Sequence, residues 1–174
     1  MLTLSLLRHV KSSWNDPALA DFDRPLNERG RAAASLMGTL LHREGLRPGH
    51  ILCSPSARTR QTLDLARGAH NGLGAVAYPK GLYHATPVAL LRAIHAAPAA
   101  ERHVLLVGHN PGLHQLAIWL TGAGPADKRR ALAEKLPTGG LVVMTFEVDS
   151  WRQVKPGGGH LRLFARPRDL TTHH

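Results

Sequence analysis

Along most of this 174-residue chain, short apolar runs of strand length alternate with segments of helical periodicity. This alternation restricts the possible folds more than any other feature. Leu2 to Leu7, His50 to Cys53, Ala75 to Tyr78 and His103 to Val107 read as strands, mostly apolar and bounded by polar or turn residues. Asn27 predicts the cap of a helix reaching about Glu44, with apolar positions at Ala33, Leu36, Met37, Leu40 and Leu41 and a stop at Gly45. Ser54-Pro55 predicts a cap and first residue for a helix to about Ala69, and Thr86-Pro87 repeats that signal for one ending near Ala97. Asn110-Pro111 opens a helix expected to end near Gly122, and residues 126–136 read as another. Leu141 to Val148 and Leu161 to Ala165 are late strands on either side of a Gly157-Gly158-Gly159 turn. The pattern predicts the α/β class: a three-layer α/β/α sandwich whose central sheet is mostly parallel and covered on both faces. With no repeat and no long linker, residues 1–174 are expected to form one domain, long enough for a proper core.

Composition narrows the function classes. No apolar run reaches the ~18 residues of a membrane helix. The stretch before Arg8 is too short for a signal peptide, so a cytoplasmic protein is expected. The lone Cys53 cannot form an internal disulfide and fits a reducing compartment. A formal charge of +10 and a pI near 11.0 invite a nucleic-acid reading. Yet Lys and Arg divide evenly between the two halves of the chain, as do Asp and Glu, and the one basic run, Lys128-Arg129-Arg130, is short. Aromatics at 5% are thin for base stacking. An anionic substrate or acidic partner accounts for the charge without nucleic acid.

Three separated segments carry residues suited to gripping a phosphate: Leu7-Arg8-His9, Ser54-Pro55-Ser56-Ala57-Arg58 and Gly108-His109-Asn110-Pro111. Each lies where an apolar run gives way to turn or helix-start residues. In open α/β sheets such places gather outside the carboxyl ends of the strands. Arg8 and His9 can share a pocket only if the strand breaks there, since neighbours in a strand face opposite ways. Arg58 falls in the first turn of a helix, where a guanidinium adds to free N–H groups and the helix dipole.

Competing chemistries fail on spacing. His109 and His114 are five apart rather than the four of a helical zinc pair, and no Cys or acid lies near them, so no metal site is expected. A cysteine-phosphatase loop needs five residues between Cys and Arg; Cys53 has four before Arg58 and six before Arg60. No Walker loop or Gly-x-Ser-x-Gly elbow is present.

Taken together, Arg8-His9, Ser54-Pro55-x-x-Arg58-x-x-Gln61-Thr62 and Gly108-His109-Asn110-Pro111 resemble the histidine phosphatase superfamily, the phosphoglycerate mutase-like fold. Arg8 to Trp14 and Asp23 to Gly30 resemble its small SixA-type phosphohistidine phosphatases in particular. The resemblance runs from the first strand to about Gly112. It implies His9 as the nucleophile that becomes phosphohistidine, Arg8 and Arg58 on the non-bridging oxygens, and His109 as a donor to the same group. Arg24 and Asn110 join as substrate-binding residues, and no cofactor or metal is implied.

The chain departs from the family at two points. Val10 follows His9 where many members have Gly, a variation found in the SixA-type pattern. The acid that mutases and many phosphomonoesterases use to protonate the leaving oxygen is missing, for there is no Asp or Glu from Leu65 to Ala100. The equivalent place reads Gly81 to Pro87. His84 falls there, but an imidazole among arginines is expected to lose its proton. The P–N bond of phosphohistidine breaks more readily than an alkyl phosphate ester. The expected substrate is therefore phosphohistidine on a protein partner. The alternatives are a small phosphorylated metabolite or, in a different class, a non-catalytic phosphate- or nucleic-acid-binding module.

Overall fold

The first strand, β1 (Leu2–Arg8), is buried on both faces, as a strand at the centre of a largely parallel sheet must be. In this computed structural model, which describes residues 1–171, alternation along the strands feeds two separate cores. Leu4 and Leu6 join Val104, Leu106, Val142 and Met144 on one side. Leu7 joins Ile51, Leu105, Val107, Leu141 and Val143 on the other. Each fully buried side chain of this kind contributes roughly 1.5–3 kcal/mol. The remaining strands are β2 (His50–Cys53), β3 (Ala75–Ala77), β4 (His103–Gly108), β5 (Thr121–Ala123), β6 (Leu141–Phe146) and β7 (Gly159–Ala165). They form one seven-stranded sheet in the order β3-β2-β4-β1-β6-β7-β5. The β1–β6 and β6–β7 pairings are antiparallel and the others parallel, which gives the mostly parallel sheet expected.

Helices α1 (Glu28–Arg43) and α2 (Ala57–Gly68) cover the face that holds Leu7, through Met37, Leu40, Leu41 and Leu63. Helices α3 (Pro87–His95), α4 (Gly112–Leu120) and α5 (Ala126–Glu134) cover the other, through Leu90, Ile94, Leu113, Leu116 and Leu132. A short α6 (Pro167–Thr171) follows β7. The capping signals act as expected at Asn27, whose side chain accepts from the Gly30 N–H, and at Thr86, which accepts from Ala89 ahead of Pro87. None of these helices is long and apolar enough to cross a membrane.

Two of the expected boundaries are displaced by strand pairing. Ser54 is not the cap of α2. Its N–H still donates to the Val107 carbonyl at 3.0 Å, so the residue continues the β2–β4 ladder, and Ser56 caps the helix instead. The helix opened by Asn110-Pro111 stops at Leu120 rather than Gly122. Thr121 to Ala123 pair with β7 as an edge strand, because an open ladder there takes the backbone groups that another half-turn of helix would have used.

Register decides where the three phosphate-gripping segments go. In the parallel β1–β4 pair Arg8 lies opposite Gly108, and in β2–β4 Cys53 lies opposite Val107. Three adjacent strands thus end level with one another. His9, Ser54 and His109, each one residue beyond a strand, emerge at the same edge.

Candidate active site

A groove of about 1480 Å³ opens at this edge, and Arg8, His9, Arg24, Arg58, His109 and Asn110 all line it. All six residues expected from the sequence are therefore brought together. His9, Arg58 and His109 are only 7%, 6% and 5% exposed. The His9 and His109 rings lie 5.4 Å apart, tilted by 54°.

β1 ends at Arg8, which frees His9 from strand geometry as the shared pocket requires. The break is held by backbone: the Gly139 N–H donates to the carbonyls of Arg8 and His9 at 3.1 and 3.0 Å. The Val10 N–H donates to Thr62 Oγ1 at 3.2 Å, and that hydroxyl donates to the Arg58 carbonyl at 2.7 Å. Gln61 Oε1 accepts from the Leu26 N–H at 2.9 Å. The Gln61-Thr62 pair thus ties α2 to both ends of the long 9–26 loop that joins β1 to α1. Gly30 allows the loop's close approach to α1, since a Cβ there would sit 2.0 Å from the Lys11 carbonyl oxygen.

His9 Nδ1 lies 2.8 Å from the Val10 carbonyl oxygen. A carbonyl can only accept, so Nδ1 carries the proton and Nε2 keeps its lone pair. Burial, with Arg58 and Arg8 acting the same way against the Val10 bond, lowers His9 to about 4. Burial and the charge of His9 and Arg58 lower His109 to about 3. Both rings are therefore neutral near pH 7. His103, bonded to the buried Ser5 hydroxyl at 2.7 Å, is likewise pushed down to about 4 by burial. An unfolded histidine titrates near 6.5, so between pH ~6.5 and ~4 the unfolded state binds more protons than the native one. The contribution of these three rings to stability is complete above pH ~6.5 and is lost as pH falls toward 4, and for His109 toward 3. The melting temperature, followed by circular dichroism, is expected to fall across that window. His9→Gln is expected to flatten part of the decline.

Sequence reasoning missed a carboxylate. The 3₁₀ turn Asp21–Asp23 carries Asp21 into the site from the long loop. Arg58 donates through Nη1 to the Asp21 carbonyl at 2.8 Å and through Nη2 to Oδ2 at 3.0 Å. Arg24 donates to Oδ1, and the Tyr83 hydroxyl to Oδ2. The Tyr83 bond foremost, with Arg58 and Arg24, lowers Asp21 to about 2, so it has no proton to give. Arg24 also stacks on Trp14, 3.3 Å above the ring centroid. His84 is another late arrival. Its backbone has φ +53°, its ring stacks on Tyr83 at 4.1 Å, and its Nε2 lies 3.4 Å from Asp21 Oδ2. The expectation that arginines surround His84 is corrected: its ionic neighbour is Asp21. Gly112 allows this, because a Cβ there would meet the Ala85 carbonyl at 2.0 Å. The usable signal in the sequence was the length of the 9–26 loop, not its composition.

Polar satisfaction singles the site out. Among the described residues, three buried side-chain polar atoms have no hydrogen-bond partner: Arg8 Nε, His109 Nδ1 and Asn110 Oδ1. All three belong to residues of this groove. Arg8 Nη1 and Asn110 Nδ2 both donate to the Leu136 carbonyl, at 3.1 and 2.9 Å, which sets the two side chains side by side. Native proteins leave few such atoms unpaired, and a catalytic role or a bound water or ion is the kind of explanation each calls for. No group of three or more His, Cys, Asp or Glu among the described residues is placed to hold a metal ion.

Residues 4–82 match the family described as the histidine phosphatase superfamily (branch 1). An uncharacterised protein of Mycobacterium tuberculosis is 37% identical over 165 residues, which is 93% of this chain and all of that protein. A crystal structure from Agrobacterium tumefaciens, provisionally named as the phosphohistidine phosphatase SixA, is 34% identical. It superposes with a TM-score of 0.78 over 95% of this chain and 98% of its own. One from Nakamurella, provisionally named in the same way, is 29% identical with a TM-score of 0.83, over 95% and 96%.

Proposed function

The chain belongs to the histidine phosphatase superfamily, and on that footing we propose that it is a metal-independent phosphatase that removes phosphate from phosphohistidine on a protein through a phospho-His9 intermediate. The observation that carries the reading is His9 itself. It is a neutral imidazole, its Nδ1 proton spent on Val10, its Nε2 lone pair free, set in a groove with Arg8, Arg24 and Arg58.

In the first step the Nε2 lone pair attacks phosphorus, and the bond from phosphorus to the substrate imidazole breaks. The electron pair goes to the leaving ring, which departs neutral when its other nitrogen carries a proton. In the second step water attacks phospho-His9, the P–Nε2 bond breaks, the pair returns to His9, and the water proton passes to solvent with the phosphate. The Val10 carbonyl supports the positive charge that His9 carries while phosphorylated. Arg8 and Arg58 hold the non-bridging oxygens, His109 donates to the same group, and Arg24 and Asn110 complete the cradle. Arginine suits these places because its fork matches phosphate oxygens two at a time. Phosphoryl transfer is mostly positioning and charge stabilisation, which fixed guanidinium groups supply. Asp21 keeps Arg24 and Arg58 gathered before the substrate arrives and yields them to the more highly charged phosphoryl group.

A protein substrate is favoured over a metabolite by the size of the groove. At about 1480 Å³ it exceeds the roughly 300–1,000 Å³ typical of small-molecule sites. Lys11, Arg29 and Lys135 lie along it, and Trp14, 77% exposed, stands at its wall. The lone Cys53 is buried and its thiol is pushed up to about 12 by burial, so it is inert.

Tungstate or vanadate, as mimics of the transferring phosphoryl group, are expected to bind among Arg8, His9, Arg58 and His109, and EDTA is expected not to inhibit. A tungstate-soaked crystal with the anion elsewhere, or activity lost to EDTA and restored by a metal, would overturn the reading.

A further inference from the structure

Ser54 is a buried serine whose side chain makes one hydrogen bond, and that bond is with the ring of His109: Ser54 Oγ and His109 Nε2 lie 2.7 Å apart. Ser54 is 0% exposed, so no solvent reaches it. The boundary correction explains how it comes there, since Ser54 extends β2 by one residue instead of capping α2.

Two hydrogen placements are possible. If Nε2 carried the ring proton, it would donate to Ser54 Oγ. The hydroxyl hydrogen would then be buried with no acceptor, and His109 Nδ1, also buried and unpartnered, would be a bare lone pair. Two groups would be unsatisfied. If instead the hydroxyl donates to Nε2, the serine is satisfied and only one group is left over, an Nδ1–H with nothing to donate to. Leaving a buried polar group unpaired is costly, so the second placement wins. It also has a use, because the remaining donor belongs to the groove where a phosphoryl oxygen is to be bound.

We propose that Ser54 is a positioning residue for the reaction: its hydroxyl, donating to His109 Nε2, fixes the ring in the Nδ1–H tautomer so that His109 presents a donor to the transferring phosphoryl group. The neutrality of His109 makes this matter, since a neutral ring has one N–H and a tautomer to choose. The two histidines then hold the same tautomer by opposite means. At His9 a carbonyl accepts from Nδ1 and leaves Nε2 without a partner; at His109 a hydroxyl donates to Nε2 and leaves Nδ1–H, buried in the groove, as the ring's unused donor.

The inference rests on the proposed phosphatase reading, but its first test does not. Long-range ¹H–¹⁵N correlation spectra of the ligand-free wild-type protein are expected to show His109 Nε2 as the unprotonated nitrogen and Nδ1 as the protonated one. A protonated Nε2 would overturn the proposal whatever the activity. In Ser54→Ala the ring is expected to shift toward the Nε2–H form, and kcat for a phosphohistidine substrate to fall at least tenfold with KM little changed. Ser54→Thr, which keeps the hydroxyl, is expected to recover the tautomer and much of the rate. A Ser54→Ala protein with wild-type kcat, or one in which Thr restores the rate without the tautomer, would refute the role. Inactivity of the wild type on every phosphorylated substrate would defeat the phosphatase reading and leave the tautomer result standing.

Discussion

His9→Ala is expected to abolish turnover by several powers of ten while the protein stays folded. The side chain makes one hydrogen bond, to the Val10 carbonyl, and losing it costs roughly 1 kcal/mol. The backbone around it is held independently by Gly108, Gly139 and Thr62. Removing a covalent nucleophile removes the two-step route itself, and only binding and charge stabilisation remain. Labelled phosphate from a phosphohistidine protein should be trapped on wild-type His9 in a rapid acid-free quench and be absent from the variant. Near-normal kcat/KM in a His9→Ala protein with native circular dichroism would end the assignment. Arg58→Ala should cost on the order of 10²-fold, as for one lost transition-state donor.

Phosphohistidine is expected to outrun alkyl phosphomonoesters by roughly 10²–10⁴-fold in kcat/KM, the usual contribution of a positioned acid. An alkoxide leaving near neutral pH needs a proton from such a group. Asp21 is the one carboxylate in the cluster of Arg24, Arg58 and Tyr83, and at a pKa near 2 it is already ionised. His84, stacked on Tyr83 with its side chain 55% exposed, has its Nε2 turned to Asp21 at 3.4 Å rather than left free for a leaving oxygen. A leaving imidazole takes its proton from solvent or brings one with it, so it needs neither group. An aryl phosphate, with its easily expelled phenolate, should be cleaved slowly and could mislead a screen. The comparison is kcat/KM for phosphohistidine protein, glycerol phosphate and an aryl phosphate, in wild type and His84→Gln. If the alkyl ester wins, or if its hydrolysis depends on His84 or Asp21 acting as an acid, the substrate is a phosphomonoester and the metabolite reading replaces this one.

Local chemistry carried much of this protein in plain sight. A cap such as Asn27 or Thr86-Pro87 acts within one helical turn, and strand burial is written in runs such as Leu2 to Leu7, so most elements could be placed from neighbours alone. The residues at strand ends could be named for the same reason, since where an apolar run stops is a local fact. Where local signals competed they misled: Ser54-Pro55 looks like a cap, but a ladder bond to Val107, fifty-three residues away, claims the Ser54 N–H.

What lay beyond the sequence were the properties that depend on register and on the path of the long loop. That Arg8 lies level with Gly108, and Cys53 with Val107, turns three separate segments into one groove. No pattern in the 9–26 loop announces that Asp21 bridges Arg24 and Arg58, or that Tyr83 and His84 meet it from sixty residues away. The neutrality of His9 and His109 and the hydrogen-bond partners of their rings are equally tertiary. A histidine's charge and tautomer are set by the burial and the single donor or acceptor that surround it, and the chain supplies those only when folded. The sequence by itself determined which side chains could grip a phosphate. The tertiary structure decided which of their atoms are free to do so.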